Sequence, residues 1–240
     1  MTNPTAAILI IGDEILTGRT REGNAHWLAG ELAARGFDLR QIRVVPDDHA
    51  VIVAALRELS AGHDHLFTSG GIGPTHDDIT ADAVAEAFDA PLEIRPEARQ
   101  VMAERYAARG MAFTENRLRM ARIPKGATLI DNPVSAAPGF SIGNTHVMAG
   151  VPDIFRAMAE GLLPRLSGGR PLVSETLQLW RAESDVAEVL GAVAAAWPAV
   201  TMGSYPFVID GKFGTNLVVR GLDPQAVAAA MADLTRQVGA

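Results

Sequence analysis

The segment Ser69-Gly70-Gly71-Ile72-Gly73-Pro74-Thr75-His76-Asp77-Asp78 has the residue types and spacing to do chemistry. Glycines let a backbone approach a ligand closely and adopt positive φ. Successive N–H groups in such a turn form a concave anion site, and the N-terminus of a following helix adds to it. Ser69, Gly70, Gly71, Gly73 and Thr75 are therefore phosphate-binding candidates. His76 joins them as a donor to phosphate or a proton shuttle. No Lys-Ser/Thr pair follows, so the loop is not a Walker A motif, and it is not Gly-x-Gly-x-x-Gly either. Bare carboxylates beside a phosphate would repel it. A hard cation such as Mg²⁺ bridging carboxylate and phosphate oxygens resolves the conflict for Asp77 and Asp78. Such a cation can also activate a water or neutralise a leaving phosphate. Helix capping explains one of the two aspartates well and both poorly.

The elements around this loop predict how it is held. Ala6 to Ile11 is a short apolar run ending in Gly12-Asp13-Glu14, as a strand buried on both faces reads. Asn24 is placed to cap a helix carrying Trp27, Leu28 and Leu32, with Gly36 as its stop. A second strand, Asp38 to Val45, ends at Pro46-Asp47-Asp48, whose aspartates cap the next helix. A third, His65 to Thr68, runs into the glycine loop, and Asp77 or Asp78 caps the helix of Ile79, Val84 and Phe88. Strand–helix alternation predicts an α/β fold: three layers, a mostly parallel sheet with helices on both faces. Ligands of such sheets sit outside the carboxyl ends of the strands. Three strand ends here are polar and carry carboxylates: Asp13 and Glu14, Asp47 and Asp48, and Asp77 and Asp78.

Further along, Pro96 opens a helix to about Arg109. Residues 111–124 read as a helix and connection whose Arg117, Arg119 and Arg122 form a solvated face. Thr128 to Ile130 is a strand, and Gly143-Asn144 joins two more as a hairpin. Asn132 to Gly139 has the turn-rich composition of a binding loop, which makes Pro138 and Gly139 ligand candidates. Gly150-Val151-Pro152 opens a helix to Leu166 and offers a second anion site through Gly150 and Pro152. His26, His63 and His65 show no ligand spacing with His76 and read as structural. Ser167 to Pro171 marks a boundary, giving domains at 1–168 and 169–240. The second is a small α+β unit, βαββα, with strands at Thr176 to Leu179, Val200 to Tyr205 and Gly214 to Arg220. Its helices run from Ser184 and from Pro224.

Composition narrows the partners. Hydrophobic residues make up 48% of the 240 and charged ones 20%, enough apolar material for a packed core. With a net charge of −7 and no Lys/Arg run, nucleic acid is not an expected partner. A small phosphorylated ligand, nucleotide or pterin, needs only a local patch of donors. No stretch reaches the ~20 apolar residues of a membrane helix. The apolar start is too short for a signal peptide and has no basic residue before it, so no membrane partner is expected. The absence of cysteine removes disulfides and thiolate sites, and fits a cytoplasmic protein.

With these segments placed, the chain resembles the molybdopterin-binding (MoaB/Mog-like) family, and within it the amino-terminal domain of the competence/damage-inducible protein CinA. The carriers are Ile11-Gly12-Asp13-Glu14-Ile15-Leu16-Thr17-Gly18 with Asn24, then Val45-Pro46-Asp47-Asp48, then Thr68 to Thr80, Asn132 to Gly139 and Gly150-Val151-Pro152. They occur in family order. Glu183-Ser184-Asp185 and Gly203-Ser204-Tyr205-Pro206 are similar to the region that follows this domain in CinA-like proteins and in eukaryotic FAD synthases. The CinA deamidase domain has no counterpart before Ala240, so nicotinamide-mononucleotide deamidation is not implied. The resemblance implies two activities: metal-dependent hydrolysis of a nucleotide pyrophosphate such as ADP-ribose or FAD, or adenylylation of molybdopterin. A binding module without turnover is the third reading. By position, Asp47 or Asp48, together with Asp78, match acidic positions the family uses for metal and catalysis, which makes all three catalytic candidates. Asp48, Asp77 and Asp78 are the implied ligands of a divalent metal, Mg, Mn or Co. Gly12, Glu14 and Asn24 fall with the ligand-binding positions. Ile72 stands where Mog-like members commonly have threonine, and Thr75-His76-Asp77 also departs from them, which leans toward CinA and puts molybdopterin as ligand in doubt. Relatives imply a homo-oligomer, dimer or trimer.

Overall fold

A computed structural model describes residues 2–240, which form two units, one ending at Gly169 and one from Arg170 to Ala240. The first unit begins β1 (Thr5–Ile11), α1 (Asp13–Leu16), α2 (Asn24–Ala34), β2 (Asp38–Val45), α3 (His49–Gly62), β3 (His65–Ser69) and α4 (Thr80–Ala87). It continues with β4 (Leu92–Ile94), α5 (Pro96–Ala108), α6 (Glu115–Leu118), β5 (Arg122–Pro124), β6 (Thr128–Ile130), β7 (Gly139–Ile142), β8 (Thr145–Met148) and α7 (Pro152–Leu162). The second unit holds β9 (Val173–Leu179), α8 (Ala187–Ala196), β10 (Thr201–Ile209), β11 (Lys212–Gly221) and α9 (Pro224–Val238).

The main sheet runs β2-β1-β3-β8-β7-β6. β2, β1, β3 and β8 are mutually parallel, and β7 and β6 are antiparallel additions. Side chains alternate across a strand, so β1 feeds two cores at once. Ala7, Leu9 and Ile11 pack with Ile52, Leu56 and Leu59 of α3 and Met102 of α5. Ala6, Ile8 and Ile10 pack with Leu28 and Leu32 of α2 and Phe155, Met158 and Leu162 of α7. That two-sided burial is why the strand reads as an unbroken apolar run. The result is the three-layer α/β architecture with helices on both faces. Among the described residues no helix is long and apolar enough to cross a membrane.

Several local expectations are corrected. Neither Asp77 nor Asp78 caps α4, which starts after Ile79 with no side-chain cap. The Asp78 carboxylate is drawn back into the glycine loop instead. Asn24 does not cap α2: Gly23 holds the N-cap position, and Asn24 turns inward from the first helical residue. Residues 111–124 contain only the four-residue α6 as α-helix, and β5 pairs with β4, two three-residue strands too short to show a period. Their arginines are engaged rather than solvated. Arg122 pairs with Asp82 at 2.5 Å, Arg117 lies over the Tyr106 ring, and Arg119 donates to the Asp78 carbonyl at 3.4 Å.

In the second unit β9 starts at Val173, and α8 starts at Ala187 after a 3-10 turn at Glu183–Asp185. Ser184 bonds Asp185 rather than a helix N–H. β10 and β11 run on to a two-residue turn at Asp210-Gly211, where φ is 50° and 75°. The expected strand stops at Tyr205, but β10 continues through Pro206 to Ile209, because it is an edge strand, where a missing N–H is tolerated. Asp-Gly with two positive φ values is the type I′ hairpin turn.

His65 and His146 meet where β3 and β8 begin. Their rings stack, with Nδ1 of His65 3.2 Å from Nε2 of His146, and Nδ1 of His146 lies 2.9 Å from the Ser141 hydroxyl. Burial, with His65 beside it, pushes His146 down to about 4. Burial also lowers His65, partly offset by Asp64. An unfolded histidine titrates near 6.5. The folded value is depressed, so this contribution is complete above about pH 6.5 and lost as pH falls toward 4. It amounts to about 3 kcal/mol for His146. The melting temperature of the native chain is expected to fall more steeply over that window than that of His146→Gln. Parallel curves would remove the imidazole pair as the cause.

Candidate functional site

The carboxyl ends of β1, β2, β3 and β8 open on one cleft of about 510 Å³. β1 connects outward to β2, while β3 lies on its other side, so the cleft sits where the strand order reverses, as in doubly wound sheets. Gly12, Glu14, Asp47, Gly70, Gly71, Gly73, Asp77, Asp78, Gly150 and Pro152, all singled out from sequence, line it.

The glycine loop owes its path to two close approaches. Gly70 has φ +111°, and a Cβ there would stand 2.1 Å from the Ile11 carbonyl oxygen. Gly71 has φ +68°, and its Cβ would stand 2.1 Å from the Thr80 hydroxyl, which donates to the Gly70 carbonyl at 3.0 Å. Asp78 closes the far side: one oxygen accepts from the Gly73 N–H at 2.7 Å and the other from the Thr75 N–H at 2.8 Å and the Thr75 hydroxyl. The N–H groups of Gly71 and Ile72 bond to nothing among the described residues. Like the His76 N–H, they are loop donors without a protein partner.

The six carboxylates at the strand ends fall into two groups. Asp48 is the N-cap of α3, accepting from the Val51 N–H at 3.0 Å, and it does not line the cleft. Asp78 lines the cleft but spends both oxygens on the loop. Glu14, Asp47 and Asp77 face the opening, with Asp13 beside them. The Asp13 N–H donates to one Asp47 oxygen at 2.9 Å. Burial, with Asp13, Glu14 and Asp77 nearby, nevertheless holds the Asp47 carboxyl above the usual carboxylate range.

The remaining predicted residues frame the cleft from outside it. Asn24 is buried behind β3 and donates to the Ser69 hydroxyl at 2.9 Å and the Gly150 carbonyl at 2.7 Å, joining two strand ends. Thr75 serves Asp78. His76 points to solvent. Pro138 lines a small void behind the glycine loop, and Gly139 packs under the Val147 carbonyl. Sequence reading missed the apolar wall of Met120, Val151 and Ile154. It also missed the clamp on the loop of Asn132. Arg105 of α5 donates to the Asn132 and Ser135 carbonyls and pairs with Asp131 at 2.6 Å, while Arg109 donates to the Val134 carbonyl at 2.9 Å. The clamp joins residues some twenty-five positions apart, so no local pattern announces it.

Residues 7–168 match the family model described as a probable molybdopterin binding domain. The chain belongs to this molybdopterin-binding family. Residues 171–240 match a second model, the FAD synthase middle domain. A protein of Pyrobaculum calidifontis is 41% identical over 212 residues, covering 85% of this chain and 81% of that one. A CinA-like protein of Anaeromyxobacter sp. is 41% identical over 180 residues, 72% of this chain but only 44% of the relative. The match therefore spans less than half of that protein. The crystal structure of the protein CinA, of unknown function, from Thermoplasma acidophilum is 33% identical with a TM-score of 0.62. It covers 67% of this chain and 98% of its own. This molybdopterin-binding-family chain thus has CinA-like relatives in both sequence and structure.

Proposed function

We propose that the chain is a divalent-metal-dependent hydrolase that splits the diphosphate bridge of a nucleotide metabolite of the ADP-ribose or FAD type. One observation carries the reading: free amides of the glycine loop face unspent carboxylates across a single cleft. The Gly71 and Ile72 N–H groups would receive a phosphate oxygen. Apolar Met120, Val151 and Ile154 offer a wall for a flat ring.

The donor set suits a hard cation, since it is made of carboxylate oxygens alone. No three His, Asp or Glu side chains stand ready as a cage among the described residues. Carboxylate oxygens suit Mg²⁺, Mn²⁺ or Co²⁺, and Mg²⁺ is commonly held by one or two carboxylates together with substrate phosphates. Glu14 and Asp77 are the residues to hold it. When bound, the ion supplies charge neutralisation on the diphosphate and polarises the attacking water. Asp47 keeps one oxygen on the Asp13 N–H and presents the other to that water, taking its proton as the new P–O bond forms. The P–O–P bond breaks on the far side, releasing a nucleoside monophosphate. The loop amides stabilise the charge gathered on phosphate. Asp48 and Asp78 act in this scheme by positioning α3 and the loop.

The test is product release from ADP-ribose and from FAD, each with Mg²⁺, Mn²⁺ or Co²⁺ and a chelator control. Metal-dependent AMP from either substrate is the expected result. Nucleotide binding without product at any metal concentration would sink the hydrolase and favour adenylyl transfer to molybdopterin or a binding module. ATP consumption with molybdopterin present separates those two.

A further inference from the structure

The glycine loop is a wall with two sides. Gly71, Ile72, Gly73 and Asp78 line the cleft, and the same four line the void of about 20 Å³ behind it. With no Cβ on Gly71 or Gly73, the wall at these residues is backbone alone. Asp82, Arg119 and Arg122 close the void from its far side. Arg122 pairs with Asp82 at 2.5 Å, and Asp78 gives its two carboxylate oxygens to the Gly73 and Thr75 N–H groups. Both acids at the void are therefore spent. Arg119 forms no ion pair among the described residues, and its one hydrogen bond is long, from Nη2 to the Asp78 carbonyl at 3.4 Å. Its Nε is buried without a partner among them. A guanidinium offers five N–H donors, and burying charge without a counter-ion is costly. The backbone that carries this cation is firm. Arg119 to Ala121 form a 3-10 turn, Ala121 is buried, and its carbonyl accepts from the Arg95 N–H at 2.9 Å. Met120, next in the turn, reaches the cleft itself.

We propose that Arg119 is a positioning residue of the cleft: from behind the glycine loop it holds the Asp78 main chain, so aims the Gly71 and Ile72 amides, and its charge acts through the loop to admit a phosphate. The second half rests on the reading of the cleft as a phosphate site. The chain of contacts is short. Arg119 holds the Asp78 backbone, the Asp78 carboxylate holds Gly73 and Thr75, and the turn so closed presents the two amides. Because the 3-10 turn is anchored to Arg95, the loop is the partner that yields when the contact is lost. The charge answers a conflict in front of the loop. Glu14, Asp47 and Asp77 line the cleft and repel an anion. Arg119 opposes them from a side where no carboxylate neutralises it. Being partly buried, it is screened less than a surface arginine.

The test compares the full native chain with Arg119→Met and Arg119→Lys by titration calorimetry, using AMP and adenosine in Mg²⁺. Arg119→Met keeps much of the bulk and drops the charge. It should weaken AMP binding by roughly tenfold or more and leave adenosine, which has no phosphate, unchanged. Arg119→Lys keeps the charge and should recover most of the AMP affinity. A merely structural role would lower both ligands together. Amide hydrogen exchange reads the loop directly: residues 71–78 should exchange faster in Arg119→Met while β1 stays as protected as in the native chain. Equal AMP affinity in the native chain and Arg119→Met overturns the proposal. Equal losses for AMP and adenosine, or loop exchange that does not move, overturn it too. A native chain that binds no AMP counts against the nucleotide reading of the cleft instead, and the exchange result alone then decides whether Arg119 holds the loop.

Discussion

Gly70→Ala is expected to cost the first unit on the order of 3–5 kcal/mol, because the new methyl must occupy the space of a backbone oxygen and cannot be turned aside. The Cβ would lie 2.1 Å from the Ile11 carbonyl, and Ile11 is fixed as the last residue of a strand buried from Ala6 onward. Gly70 cannot retreat, since its N–H is bonded to the Met148 carbonyl at 3.1 Å. Gly110→Ala is the matched control. Gly110 has φ +65° but nothing within 4 Å of its Cβ position, so it isolates the left-handed backbone cost of about 1–2 kcal/mol. Denaturant unfolding of the two variants measures the difference. If Gly70→Ala is no worse than Gly110→Ala, the close approach of the loop to β1 is not what fixes its shape. Loss of nucleotide binding should accompany Gly70→Ala, since the Gly71 and Ile72 amides are aimed by the same turn.

Asp47→Asn is the second large effect. An asparagine can still accept from the Asp13 N–H, so the fold survives, but in the proposed hydrolysis the oxygen offered to water loses its basicity. General-base contributions run to ~10²–10⁴ in rate, and a fall of that size in kcat is expected with metal-saturated enzyme. Stability should hold or rise slightly, because the change removes a half-buried charge crowded by Asp13, Glu14 and Asp77. Asp48→Ala should show the opposite signature, losing about 1 kcal/mol of stability with its cap while turnover at saturating substrate changes little. Equal loss of activity in the two variants would refute the division of labour between neighbouring aspartates.

That division marks how far sequence could reach. Strand–helix alternation, the apolar run of β1 and the polar strand ends all reflect local chemistry, so the parallel sheet and the side of it holding the cleft were legible. The carboxylates were visible as residues but not as partners. Whether Asp78 caps α4 or folds back onto Gly73 and Thr75 depends on a loop path that the Gly70 contact with Ile11 decides. Asn24 shows the same limit: its type suits a cap, and only the arrival of Ser69 and Gly150 turns it inward. The Arg105 clamp and the β4–β5 pair join distant positions through segments too short to carry a period. At Asp210-Gly211 the turn signal was present, but the expected strands stop at Tyr205 and start at Gly214, short of it on both sides.

Asn24 carries one consequence further. A single amide group spans the gap between the glycine loop's root at Ser69 and the Gly150 turn that opens α7. The separation of these two strand ends at the cleft is then held by the two N–H bonds of one amide nitrogen rather than by a flexible gate. A site of fixed aperture sorts ligands by size before it reads their charge, and its entropy loss on binding is small. Variation in substrate among relatives would then come through the loops above that tie, with the aperture beneath them unchanged.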